Sequence, residues 1–304
     1  MKERISGILA ALITPFDENG NIKLELAPDL VKLYQDQGAA GLYMTGFTGE
    51  GAFMDVGQRK AWAEAVLKAA EDKLPVFVHV GYCANPDDAV ELAAHASRHG
   101  AFAVSSVGIS SESDLDENVA YFKRISEASN LPFYIYWNSF AGNLNGGRRI
   151  EPEDLLDAMQ AVPTFRGLKY TDSNLYFVDR MRRHQPDINI LTGVDAMCLS
   201  GSLMGSDGAI GALQAITTGH MRVMWEKFHA GDITGAKELQ TRNNNIYQSI
   251  DSPKRQMIPA IKAVLEGYYG IPAGYPCAAS PFSRMTDDAE IKKLLAEFEA
   301  NILK

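Results

Sequence analysis

"GLYMTGFTGEGAFMDVGQRKAWAEAVLKAAEDKLPVFVHV", residues 41–80, joins two short apolar runs through a glycine-rich turn and an amphipathic stretch. "GLYMT" (41–45) and "PVFVHV" (75–80) have the β-branched and aromatic character of buried strands, and "DVGQRKAWAEAVLKAA" between them has a helical period. The same alternation runs on in both directions. Upstream lie a strand, "GILAALIT" (7–14), and a helix, "LELAPDLVKLYQDQG". Downstream the strand candidates are "AFAVSS" (101–106), "PFYIYW" (132–137), "RGLKY" (166–170), "INILTG" (188–193) and the short "GAIGA" (208–212). Helical stretches separate them, among them "DDAVELAAHASRHG", "LDENVAYFKRISEAS", "EPEDLLDAMQAV" and "SNLYFVDRMRRHQ". Several end in "QGA", "RHGA" or "MGSDGA", which puts glycine where a left-handed C-cap is expected.

Eight strands, each followed by a helix at about 20–35 residues per unit, predict an α/β fold, a (β/α)8 TIM barrel. A doubly wound open sheet is the rival. It would more often carry G-x-G-x-x-G after its first strand, and "ITPFDENGN" is not that motif. After Ala215 the strand signal stops and helical periods take over. The expected organisation is therefore a barrel over 1–232 and a C-terminal helical extension over 233–304.

Of the 304 residues, 46% are hydrophobic and 22% charged, enough for a large core. The formal charge of -9 argues against nucleic acid or an anionic membrane as main partner. No apolar run approaches the ~20 residues of a membrane span. The start, "MKERISGILAALITPF", is broken by turn residues and is not read as a secretion signal. Cys83, Cys198 and Cys277 stand in unrelated contexts and are read as reduced thiols of a cytoplasmic protein. His95 and His99 are four apart on a helix that reads as surface, so no metal site is expected.

In such barrels chemistry sits at the C-terminal ends of the strands. The second strand ends at "GFTGE", the fifth at Tyr136, the sixth at Lys169, and the seventh at Gly193 with Asp195. A lysine desolvated in an apolar strand loses its proton more readily, and a neutral amine attacks a ketone to form an imine, an electron sink. A lysine snorkelling from a strand end to solvent is the structural alternative. Tyr136 on the neighbouring strand is either a proton shuttle or a packed rim tyrosine. The glycines of "GFTGEG" serve a tight turn or hold an anion on backbone N–H groups with the Thr48 hydroxyl. Without the lysine of a P-loop, this loop suits a carboxylate better than a polyphosphate.

Over essentially its full length the chain resembles the dihydrodipicolinate synthase and N-acetylneuraminate lyase family of pyruvate-dependent class I aldolases. "ALITPFDENGNI" is similar to that family's first strand and loop, "GLYMTGFTGEGAFM" to its carboxylate loop and "RGLKYT" to its Schiff-base strand. "LTGVDAMCLSGSLMGSDGAIGA" and "VLEGYYGIPAG" resemble its seventh and eighth strand region and its tail. The resemblance implies an imine on Lys169, proton transfer by Tyr136, carboxylate binding by Thr48 with Phe47 and Gly49, and Ile210 lining the pyruvate pocket. It further implies no cofactor beyond the covalent imine, a 2-oxo acid substrate, and a homotetramer.

Within that family the N-acetylneuraminate lyase side fits better. Thr171, Gly193 and Asp195 match positions that contact sugar hydroxyls. The arginine expected of a dihydrodipicolinate synthase is replaced near Ala141, and "AVSSVGISSES" lacks the tyrosine that those enzymes lend to a neighbouring subunit. Phe47, Ala196 and Ala212 stand where sialic acid lyases usually carry polar residues, so the aldehyde half of the pocket is expected to be more apolar. A dehydratase of a 2-oxo-3-deoxy sugar acid and an oxo-acid-binding sensor are the alternatives. The run "SFAGNLNGGRRIEPED" (139–154) is read either as a surface turn or as a loop bringing Arg148 or Arg149 to an anionic substrate.

Overall fold

The computed structural model describes residues 4–138 and 144–303; Ala141 and Gly142 of the glycine-rich run lie outside them. Eight parallel strands close in the order β1 to β8: β1 (Gly7–Ala11), β2 (Gly41–Met44), β3 (Val76–His79), β4 (Ala103–Ser106), β5 (Phe133–Asn138), β6 (Phe165–Thr171), β7 (Asn189–Thr192) and β8 (Gly208–Ala209). The expected TIM barrel is the fold. Its strands are mostly shorter than the apolar runs that announced them. After Ala11, for instance, the chain leaves β1 for the barrel mouth, and the Leu12 amide takes one last bond, 2.9 Å, to the Tyr43 carbonyl.

Alternation sorts each strand into an inner and an outer face. Leu9, Ala11, Tyr43, Phe77, Ala103, Tyr134, Leu191 and Ile210 fill the interior, each buried. The helices cover the outside. α2 (Val56–Ala70) begins at a reciprocal capping box: the Asp55 carboxylate accepts from the Gln58 amide at 2.8 Å, and the Asp55 amide donates to the Gln58 side chain at 3.2 Å. It buries Trp62, Val66, Leu67 and Ala70 against the sheet, with Val66 and Leu67 each contributing about 1.5–3 kcal/mol. Gly38, Gly100 and Gly205 hold the positive φ expected of C-caps, at 72°, 82° and 99°.

α8 (Gln214–His229) completes the barrel, and the tail is helical as expected, in α9 (Ile233–Ile250), α10 (Met257–Gly267) and α11 (Asp288–Asn301). No helix among the described residues is long and apolar enough to cross a membrane.

One sequence expectation is corrected. His95, on α3 (Pro86–Arg98), is not a surface residue: it is buried, donates or accepts at 2.8 Å with Glu64 of α2, and stacks on His99 with ring centroids 4.4 Å apart. Its helix reads as surface from sequence alone, and the packing of α2 on α3 covers it. The donor atoms of Glu64, His95 and His99 lie within 4.8 Å of one another.

Candidate active site

Register brings the two central residues together: Tyr136 of β5 pairs directly with Lys169 of β6, both on inward-facing positions. Lys169 is 5% exposed. Its Nζ lies 4.3 Å from the ring centre of Tyr43 and 4.2 Å from that of Tyr136, two rings set edge to face at 83°. Among the described residues Asp195 is the one charged group that acts on it. Burial therefore dominates and pushes the Lys169 amine down to about 7, with Asp195 opposing. At neutral pH a large share of this lysine is the free nucleophile.

The second buried lysine has the opposite surroundings. Lys262 of α10 is 1% exposed, and its Nζ donates at 2.5 Å to Glu50, 2.8 Å to the Thr14 carbonyl and 2.6 Å to the Tyr275 carbonyl. The other Glu50 oxygen accepts from the Cys277 amide at 2.7 Å. Burial pushes Lys262 down and the Glu50 carboxylate pulls it back. With three acceptors around it, its nitrogen has no lone pair to offer. Its work is structural: it ties the loop after β2 to the tail.

That loop is tightly wound. Thr45 and Glu50 both take left-handed backbone, φ 54° and 57°. A Cβ on Gly49 would stand 2.8 Å from the Leu12 carbonyl, and one on Gly51 would collide with the Thr45 carbonyl, so both positions demand glycine. The Thr14 hydroxyl donates to the Gly49 carbonyl at 2.7 Å. The amides of Glu50 and Gly51 are used internally, on the carbonyls of Phe47 and Gly46. Those of Thr48 and Gly49 have no protein acceptor among the described residues. Two adjacent free amides on a tightly wound loop are donors that a carboxylate can use.

Beneath Lys169 lies a polar network that the strand-end reading missed. The Tyr43 hydroxyl bonds Ser105 at 2.7 Å and His79 Nδ1 at 3.1 Å. Burial, with Arg59 and Lys169 nearby, keeps His79 neutral. The buried Arg59 guanidinium donates to the carbonyls of His79 at 2.6 Å and Gly81 at 2.8 Å. Burial also holds the Tyr136 phenol well above its ordinary value, and its ring meets that of Tyr82 edge to face at 6.3 Å. Tyr82 follows β3, whose end the sequence reading had passed over although the same rule nominates it.

The remaining candidates fall around the mouth. Ile210 is fully buried in the barrel interior. The Gly193 amide donates to the Tyr170 carbonyl at 2.7 Å, and a Cβ there would collide with the Thr171 side chain. Asp195 is 4% exposed, and its carboxylate oxygens accept from the amides of Ala212 and Leu213 at 2.9 Å each, fastening the loop before α8. Burial pushes this carboxyl up to about 6, against those two amides. Phe47 is 42% exposed and meets Phe282 of the tail edge to face at 6.3 Å. Arg149 is exposed and pairs with Glu151 at 2.6 Å, a carboxylate that also binds Arg180 at 2.5 Å.

Comparison with known proteins bears on this arrangement directly. The sequence profile of the Dihydrodipicolinate synthetase family matches residues 4–297. The chain belongs to that family. Its relatives include the N-acetylneuraminate lyase of Mus musculus, 31% identical over 90% of this chain and 87% of the other, and that of Rhizobium meliloti (strain 1021), 30% identical over 96% and 93%. Among solved structures, Proteus mirabilis N-acetylneuraminate lyase superposes with a TM-score of 0.89 at 27% identity, covering 99% of this chain and 100% of that one. A Ruminococcus gnavus sialic acid aldolase, described as a catalytic lysine mutant, gives 0.90 at 26% identity over 98% and 96%. The family membership expected from "GLYMTGFTGEGAFM" and "RGLKYT" is thereby established.

Proposed function

We propose that this family member is a Schiff-base lyase that cleaves or forms a carbon–carbon bond between pyruvate and an aldehyde, on a sugar-acid-type 2-oxo acid. The observation that carries it is Lys169: an amine buried without a bound carboxylate, facing Tyr136 inside a barrel mouth.

The Lys169 amine attacks the ketone carbon, a C–N bond forms and one amine proton passes to the former carbonyl oxygen, which then takes the Tyr136 phenol proton and leaves as water, giving a protonated imine and a Tyr136 phenolate. In the protonated imine, Tyr136 as phenolate removes the proton of the hydroxyl two carbons from the imine carbon. That oxygen's electron pair becomes the aldehyde C=O, the C–C bond breaks, and its electrons enter the imine to give an enamine. The Tyr136 phenol gives that proton to the enamine carbon, and water, losing a proton to Tyr136, attacks the imine carbon, so that the C–N bond breaks and pyruvate and the free amine are released. No redox change occurs and no metal or organic cofactor takes part in these steps. Thr48 and the amides of Thr48 and Gly49 hold the substrate carboxylate, with Ile210 beneath it. Thr171, Gly193 and Asp195 shape the far side, where Phe47, the exposed Ala196 and the half-buried Ala212 favour a less hydroxylated aldehyde than the relatives' names imply. A homotetramer accompanies this reading through the family resemblance.

Borohydride reduction in the presence of pyruvate tests it. Wild type gains one reduced adduct, mapped to Lys169, and Lys169→Arg gains none because arginine stays protonated. An adduct on Lys262, or none on any lysine, overturns the assignment.

A further inference from the structure

We propose that Glu64, His95 and His99 bind a divalent transition-metal ion, zinc in the first place, that clasps α2 to α3 on the outside of the barrel, independently of the lyase chemistry. The sequence reading set a metal aside here because it took both rings for solvated surface groups; the burial of His95, 6% exposed, removes that ground. Histidines four apart on a helix stand on one face, a spacing with which a helix can chelate zinc. His99 caps α3, its amide bonded to the His95 carbonyl at 3.2 Å, so the second ring is held one turn beyond the first. The two ring planes lie 29° apart. From α2, one Glu64 carboxylate oxygen faces both rings, 2.8 Å from His95 Nε2 and 3.8 Å from His99 Nε2.

The longer of these distances is beyond a hydrogen bond, so Glu64 does not hold both rings by sharing protons, whereas a cation among the three donors bonds them all. A tetrahedral zinc with ligands at about 2.0–2.2 Å needs donors about 3.3–3.6 Å apart, and the two observed separations bracket that spacing. Among the described residues no other three histidine, cysteine or carboxylate side chains bring their donor atoms together in this way. Buried His95 supplies the fixed ligand. The side chains of Glu64 and His99, 51% and 39% exposed, are free to close the remaining few tenths of an ångström and leave a fourth position to water. Two imidazoles and one carboxylate suit zinc and its neighbours in the first transition row; magnesium and calcium take oxygen donors. The surrounding charge permits a cation: the Lys60 ammonium is paired with Glu91, and a depression of about 490 Å³ bordered by Glu64 and His99 carries Glu71 and Asp72 against the single Lys68. That depression reaches Val76 at the start of β3 and Phe102 just before β4, so the site lies at the end of the barrel away from Lys169. The ion's effect therefore falls on the stability of the α2–α3 pair, not on turnover.

The test uses untagged, chelator-stripped protein, titrated with Zn2+ in competition with a chromophoric chelator, and follows the thermal midpoint with and without the ion. Wild type is compared with His99→Ala and Glu64→Gln, both at exposed positions, so neither substitution opens the core. Expected in wild type is one zinc per chain and a midpoint raised by about 5 °C when free zinc stands a hundredfold above its dissociation constant. Either variant should bind at least about 10- to 100-fold more weakly, the loss that even an outer-shell partner of a metal can cause, and its midpoint rise should shrink accordingly. No zinc on wild type at sub-millimolar free ion overturns the site. Binding of equal strength in all three proteins places the ion elsewhere, as on the cysteine thiols, and overturns it equally. Zinc lost in both variants but without any midpoint rise in wild type overturns the clasp.

Discussion

The pH dependence of imine formation separates Lys169 from any ordinary lysine. With its amine at about 7, Lys169 is roughly one-tenth neutral at pH 6, half at pH 7 and nine-tenths at pH 8. An exposed lysine near 10.4 is neutral to only about 4 × 10⁻⁴ at pH 7, so burial alone raises the nucleophilic fraction about 10³-fold. The assay mixes enzyme with pyruvate at each pH, quenches at successive times into borohydride at one fixed alkaline pH, and weighs the adduct. The rate should climb almost tenfold per unit below pH 7 and flatten above 8. The sign follows from the cause: desolvation penalises the ammonium, so the midpoint moves down from 10.5, not up. A rate still rising through pH 9 would show that Lys169 keeps an ordinary affinity for its proton, and the chemistry argued from its burial would fall.

Three further outcomes are expected. Tyr136→Phe should still trap pyruvate yet lose about 10²–10⁴-fold in turnover, while Thr48→Ala should weaken pyruvate capture itself; near-wild-type turnover in Tyr136→Phe removes it from the mechanism. Lys169→Met should raise stability by about 4 kcal/mol at pH 7, because the unfolded chain holds its lysine proton up to 10.5 and the folded chain releases it near 7, and the gain should shrink as pH rises toward 10.5; denaturant titration showing no pH-dependent difference refutes this. Lys262→Met should leave Glu50 buried without its cation and cost about 3–5 kcal/mol, with weaker pyruvate capture through the loosened loop; a wild-type urea midpoint would show that the pair is dispensable.

The barrel was legible because its signal repeats: every strand candidate from "GILAALIT" to "GAIGA" became a strand, and local periodicity sufficed for each. Lys169 and Tyr136 were legible because strand ends are where side chains converge, and register then set them side by side. What periodicity could not convey was which buried polar groups meet across distant segments. Glu50 and Lys262 are 212 residues apart, and neither "FTGEG" nor "MIPAIKAVLEG" names its partner. A charged residue in the apolar period of α10 was nonetheless a visible sign that some counter-charge must be buried with it. The depth of His95 was likewise hidden, since it depends on how α3 leans on α2 and not on its own spacing.

The two buried lysines show how one side chain comes to serve chemistry in one place and architecture in another. Both lose water on folding, and for both the ammonium is the form that burial penalises. Lys262 meets a carboxylate and two carbonyls, so the charged form survives and the ion pair closes the loop carrying Thr48 and Gly49. Lys169 meets aromatic faces and no such acceptor, and the neutral amine results. The first lysine therefore fastens the loop whose amides would hold a carboxylate, and the second supplies the amine for that molecule's ketone. Removing the Glu50 charge should act on the first and leave the second as it is. Glu50→Gln deprives Lys262 of its counter-charge and loosens the amides of Thr48 and Gly49. Pyruvate capture should then weaken while the pH midpoint of imine formation stays near 7, because nothing around Lys169 itself has changed. A midpoint displaced by a full unit in Glu50→Gln would mean that the two lysines are electrostatically coupled through the loop and that their roles are not separable in this way.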